Sequence, residues 1–160
     1  MKYLLIILSL ILFSFGCSKI INSDDLLLSK TDGLFYEKNN KKPFTGEVTG
    51  RVSGQIIKGK REGEWLEYYA NGSLESKSNY KDGKEEGEVF WYYQNGRLEI
   101  SGNYKDGKEE GGFISYDVNG GIVYKYNYKL GKLDGEWLHF YETGELKEKR
   151  LYKSGKLTIN

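Results

Sequence analysis

In 160 residues the chain has one cysteine, one histidine, one proline and one methionine, and alanine is nearly absent. A single cysteine excludes a disulfide framework, and Cys17 with His139 is too small a set for a zinc site of those ligands. Nor do they form a signature for Cys-His or Ser-His chemistry. No charge sign dominates, with 24 basic against 23 acidic residues. There is therefore no basic stripe to hold a nucleic acid and no polybasic patch to hold anionic lipid. Scarce alanine beside 14 tyrosines and 21 glycines argues for strands joined by tight turns rather than helices.

The glycines recur on a fixed beat. Gly59, Gly83, Gly107, Gly131 and Gly155 are 24 residues apart, and Gly63, Gly87, Gly111 and Gly135 keep the same step, as do Gly72, Gly96, Gly120 and Gly144. Apolar and aromatic positions follow in phase: Trp65/Val89/Phe113/Trp137, Tyr68/Tyr92/Tyr116/Phe140, Leu74/Leu98/Ile122/Leu146 and Tyr80/Tyr104/Tyr128/Tyr152. Such a period denotes a stacked supersecondary unit, and arrays of this kind present extended surfaces rather than one deep pocket.

Within a unit, two strand-like runs at 64–70 and 73–80 flank Asn71-Gly72, which predicts a type I′ hairpin turn. With that turn Tyr69 pairs with Leu74, Glu67 with Ser76 and Trp65 with Ser78. Asp82-Gly83, repeated at Asp106-Gly107, Leu130-Gly131 and Ser154-Gly155, marks the second turn. Trp65, Tyr69, Leu74 and Tyr80 then share one face, while Leu66, Tyr68, Glu75, Lys77 and Asn79 share the other. The fold class expected is all-β, an antiparallel meander of 24-residue hairpins forming an elongated single-layer sheet. Pro43-Phe44-Thr45-Gly46 opens a degenerate first unit, since only 17 residues separate Gly46 from Gly63. Expected boundaries are 1–16 for a signal peptide, 17–32 for a lipidated N-terminus and tether, 33–58 for a degenerate capping repeat and 59–160 for the array. In the tether, Leu26-Leu27-Leu28 reads as a short helical turn or a docking segment.

The pattern Gly63-Glu64-Trp65…Tyr68-Tyr69…Asn71-Gly72…Leu74…Tyr80…Asp82-Gly83-Lys84 resembles the bacterial variant of the MORN repeat, of the type found in the YwqK-type antitoxin family. The resemblance covers residues 33–157. It implies a repeat scaffold and an association with a toxin, and it brings no catalytic residues.

Residues 1–16 differ from everything that follows. Lys2 precedes an apolar run from Tyr3 to Phe15, too short for a membrane span of roughly 20 residues and suited to a secretory signal. Gly16-Cys17 then resembles the lipobox of bacterial lipoproteins, with Ser14 where that family usually has Leu. The resemblance implies lipidation of Cys17, and Ser18 implies sorting to the outer membrane where the bacterium has one. A plain secretory signal or an uncleaved anchor containing Cys17 is the alternative.

Periodicity also bears on chemistry. The positions equivalent to His139 hold Glu67, Trp91 and Ser115, as expected for a variable sheet position rather than a catalytic base. Glu62, Glu85-Glu86, Glu109-Glu110 and Asp134 recur beside Lys84, Lys108 and Lys132, which reads as a solvated, charge-balanced edge rather than a paired-carboxylate site. No catalytic residue, cofactor or metal is expected. Tyr69, Trp91, Tyr93, Tyr124, Tyr126 and Tyr141 form the candidate binding surface, because such side chains are enriched at binding hot spots; the alternative for each is that it simply holds the sheet together. The third unit departs from the pattern, with Asp117 in place of Tyr and with extra Tyr124 and Tyr126. The expected function is a non-enzymatic, lipid-anchored envelope protein whose repeat sheet binds a protein, with an antitoxin or immunity role as its first form and a toxin as partner. The alternative is a structural or surface-attachment lipoprotein that binds glycan or matrix. A small hydrolase using His139 is the third reading.

Overall fold

The computed structural model describes residues 18–158, so the leader and Cys17 lie outside the described residues. The strands are β1 (Ile20–Asn22), β2 (Leu26–Leu28), β3 (Phe35–Glu37), β4 (Gly46–Thr49), β5 (Val52–Ile57) and β6 (Lys60–Tyr68). Next come β7 (Leu74–Lys81), β8 (Lys84–Glu85), β9 (Gly87–Tyr92), β10 (Leu98–Lys105) and β11 (Lys108–Glu109). The chain ends with β12 (Gly111–Tyr116), β13 (Ile122–Lys129), β14 (Lys132–Phe140), β15 (Leu146–Lys153) and β16 (Lys156–Leu157). All but β2 and β3 belong to one open 14-stranded sheet, in which β4 to β7, β9, β10 and β12 to β16 follow one another in chain order. The fold is the all-β antiparallel meander expected from the sequence.

The type I′ geometry expected at Asn71-Gly72 occurs at the other turn of the unit. Gly72 is left-handed at φ 84°, but Asn71 is not, so Asn71-Gly72 is no type I′ turn. Instead Gly72 N–H donates to the Tyr69 carbonyl at 2.9 Å, and Tyr69 N–H to the Ser73 carbonyl at 2.9 Å. This is a type I turn closed by a left-handed glycine. Asn71 serves through its side chain, whose Oδ1 accepts from Ser73 N–H at 3.0 Å. The last strand pair is accordingly Tyr68–Leu74 rather than Tyr69–Leu74. An irregularity at Glu75 absorbs the slip, and Glu67–Ser76 and Trp65–Ser78 fall as expected. The type I′ turn lies at Asp82-Gly83, where φ is 52° and 82°.

The expected tether is, from Ile20 onward, part of the fold. Strand β1 pairs in parallel with β4, placing Ile21 beside Val48. Leu26–Leu28 pairs antiparallel with Phe35–Glu37 in a small second sheet. Ile21, Phe44, Val48, Ile56 and Trp65 make the main core, with Leu26, Phe35, Val52 and Tyr80 packed against it. Residues 20–28 thus pack with the capping segment, because an apolar edge strand is available to cover the first hairpins.

Beyond the cap, one position stays buried through three units and opens in the last. Trp65 is 1% exposed, Val89 0% and Phe113 4%, while Trp137 at the same position of the repeat is only half-buried. The neighbours explain the difference. Trp65 lies over Gly54, where an added Cβ would meet its ring at 2.5 Å, and Ser78 pairs on its other side. Val89 lies opposite Gly102, and the register that pairs Ser76 with Trp91 brings Ser78 to its other side. Phe113 covers Gly102, where a Cβ would come to 2.1 Å, and pairs with Tyr126. Trp137 has no small neighbour, since Tyr126 and Arg150 flank it. The 24-residue series Gly54, Ser78, Gly102, Tyr126, Arg150 thus goes from seats for an aromatic ring to side chains that lift one out.

Candidate functional site

Side chains of β13, β14 and β15 build an open aromatic ledge on the face that is core at the other end. Tyr124 pairs with His139, Tyr126 with Trp137 and Trp137 with Arg150. Tyr124 and His139 stack at 4.6 Å, Tyr124 and Trp137 are 5.2 Å apart, and the Arg150 guanidinium lies 4.9 Å from the Trp137 ring. These rings are half-buried, with Tyr124 stacked on His139 and the Arg150 guanidinium over Trp137. His139, a variable sheet position in sequence, stands in this ring cluster.

The ledge continues into a hollow of about 280 Å³ lined by Trp91, Ile100, Tyr104, Phe113, Tyr126 and Tyr128, with Glu99 and Glu109 on its rim. Burial, with Glu109 nearby, pushes the Tyr104 phenol up to about 12. The same causes raise Tyr128, and burial followed by Tyr128 raises Tyr126. All three phenols remain neutral donors near neutral pH. An aromatic hollow with neutral hydroxyls and a carboxylate rim suits a flat or apolar group carrying a polar or cationic edge.

The six candidate residues do not form one strip. Trp91, Tyr124 and Tyr126 lie on the ledge and hollow face. Tyr69 and Tyr93 sit at the margin and act within the array: Tyr69 Oη donates to the Tyr92 carbonyl at 2.6 Å, and Tyr93 Oη to the Tyr116 carbonyl at 2.8 Å. Each ties its hairpin to the next. Tyr141 ends the same series, half exposed, with Lys147 5.4 Å from its ring. Trp137, Tyr104 and Tyr128 were not among the candidates. Their 24-residue recurrence reads as scaffold until the loss of small neighbours beside Trp137 is noticed.

The periodic carboxylates are not free solvated edge. Glu62 accepts from Asp82 N–H at 2.9 Å, Glu86 from Asp106 N–H at 2.9 Å, Glu110 from Leu130 N–H at 2.8 Å and Asp134 from Ser154 N–H at 3.0 Å. In the cap, Thr45 Oγ1 takes this part for Lys58 N–H at 2.8 Å. Each acid clips the type I′ turn of the following unit, so four recurring acids have a structural use. Glu85 and Glu109 point to the aromatic face instead, and burial raises the Glu85 carboxyl.

The comparisons with known proteins agree with the repeat. The MORN repeat variant matches residues 61–82, 85–106 and 133–154. The chain carries MORN repeats. The unit between the second and third matches, which holds Asp117, Tyr124 and Tyr126, lies outside all three MORN repeat matches. A search of curated proteins finds no match. Among solved structures, the GtfA/B complex bound to UDP and GlcNAc aligns at 13% identity and a TM-score of 0.25, over 74% of this chain and 26% of that one. The chain thus spans about a quarter of that structure's length, and the likeness is too slight to carry an argument.

Proposed function

We propose that this MORN-repeat chain is a non-enzymatic envelope lipoprotein that binds a protein partner through the open aromatic ledge of its last repeats. The observation behind this reading is the half-exposed cluster of Tyr124, Tyr126, Trp137, His139 and Arg150, built around Trp137 at the repeat position where Trp65 is buried core near the cap. Aromatic and arginine side chains of this kind form the energetic centres of protein interfaces. Lipidation at Cys17 would tether the sheet to the envelope, at the outer membrane where there is one. An antitoxin or immunity role is the form suggested by resemblance to the YwqK-type family, and its target would act outside the cytoplasm.

The test is affinity capture from the native cells by the mature chain, with Trp137→Ala and Tyr124→Ala proteins alongside. Both variants should keep the β circular-dichroism signature and lose the captured protein, and Cys17→Ser should release the chain from the membrane fraction. Undiminished capture by both ledge variants contradicts this reading of the ledge. A second reading, glycan or matrix binding, draws on the half-buried rings of Tyr124 and Trp137, groups of the kind that stack on sugars. Binding to purified peptidoglycan with no captured protein would favour it.

A further inference from the structure

The tyrosine ladder at the loop margin has a vacancy in sequence that is also a cleft in space. In two successive units a tyrosine hydroxyl reaches over the next hairpin and donates to a backbone carbonyl, Tyr69 to Tyr92 and Tyr93 to Tyr116. The third position of the series is Asp117. Its carboxylate folds back on its own turn, accepting from Asn119 N–H at 2.7 Å and Gly121 N–H at 3.0 Å. The equivalent acceptor, the Phe140 carbonyl, receives no side-chain hydroxyl among the described residues. Where the third tyrosine would lie, an open cleft of about 690 Å³ is lined by Asp117, Ile122, His139, Phe140, Tyr141 and Lys147. That volume is in the range of small-ligand sites.

The geometry points to this cleft as the seat of a tyrosine side chain presented by a protein partner, with basic residues beside that tyrosine. The two filled positions define the group that fits: a phenol ring laid across the hairpin with its hydroxyl on the carbonyl. Charge defines its neighbours. Asp117, Glu142 and Glu145 line the cleft with Lys147, and Arg97 lies beside Asp117 on the Val118 carbonyl, so Glu142 and Glu145 are the carboxylates that a lysine or arginine next to the incoming ring would meet. The inference rests on the protein-binding reading above and names the partner's contact residue, at a site beside the ledge.

The probes are two capped tripeptide amides, lysyl-tyrosyl-lysine and lysyl-phenylalanyl-lysine, titrated into the mature chain and followed by amide NMR. The tyrosyl peptide should shift resonances of 117–123 and 139–147 saturably, and bind about fivefold more tightly than the phenylalanyl peptide, the worth of one hydrogen bond. Asp117→Tyr fills the gap in cis. It should abolish the shifts and raise the melting temperature by completing the ladder. Glu142→Gln keeps the side-chain shape while removing a charge, and should weaken the tyrosyl peptide without changing the fold. Equal binding of the two peptides, no saturable shifts, or unchanged binding by Asp117→Tyr or Glu142→Gln would overturn the inference. Capture of a partner lost in Trp137→Ala but intact in Asp117→Tyr would overturn it too, while leaving the protein-binding reading standing.

Discussion

Trp65 and Trp137 occupy one position of the repeat and lead opposite lives. The first is 1% exposed, with its indole N–H donating to the Gln55 carbonyl at 3.2 Å and the Arg61 guanidinium 4.4 Å from its ring. The second is half-buried among Tyr124, Tyr126, His139 and Arg150. Both carry a guanidinium over the ring, so the cation does not distinguish them. The difference lies in what flanks them: Gly54 and Ser78 leave room for Trp65 to sink, whereas Tyr126 and Arg150 keep Trp137 raised. A repeat can thus turn core into surface by changing two side chains in the neighbouring strands and nothing at the aromatic itself. The cap completes the contrast, since Ile21, Phe44 and Val48 close the core at one end only.

That contrast can be broken by mutation. Trp65→Ala should cost about 3–5 kcal/mol, the range for removing a large aromatic from a closed core. Trp137→Ala should cost less than about half of that, because its ring is only half-buried. Chemical denaturation of the two proteins compares them directly, and equal losses would end the distinction.

The next effect tests the seats. A Cβ on Gly102 would come within 2.1 Å of the Phe113 ring, and β10 must shift or the ring must rise. Gly102→Ala should therefore destabilise by about 1–3 kcal/mol, the usual cost of overpacking. A Phe113 that stays buried at unchanged stability would show that small neighbours are not what admits the ring.

The smallest effect sharpens the comparison on the pH axis. Tyr104, Tyr126 and Tyr128 are raised, chiefly by burial, above the ordinary tyrosine value of 10.0. A folded value above the unfolded one gives stability that is whole below pH 10 and is lost as pH rises through about 12, the value for Tyr104. The melting temperature should fall over that window, and Tyr104→Phe should remove part of the fall. A slope identical in Tyr104→Phe would exclude this phenol as a source.

Much of this was legible in the sequence. The 24-residue beat dictates a meander, and the pairs Trp65–Ser78 and Glu67–Ser76 follow from hairpin counting. The turn types were not legible, because an Asn-Gly pair serves two geometries and only the extra residue at Glu75 chooses between them. The clip made by Glu62, Glu86, Glu110 and Asp134 was visible as a periodic series, but each partner N–H lies 20 residues ahead, beyond what a local charge pattern can report. Of the candidate surface, Tyr124 and Tyr126 were found through their departure from the period. For Tyr69 and Tyr93 the sequence leaves both readings open, because a regular aromatic column looks alike whether it binds a ligand or the next hairpin. Trp137 was hidden for the converse reason: it obeys the period, and only the Gly54-to-Arg150 series beside it breaks.

One repeat position is closed core near the cap and half-open surface near the end. Residue-resolved hydrogen exchange on the unmodified chain tests it most directly. The expected result is slowest exchange in β4 to β6 around Val48, Ile56 and Trp65, with protection falling steadily toward β14 and β15 around Trp137. Uniform protection along the array, or a maximum in the last two hairpins, would contradict the account.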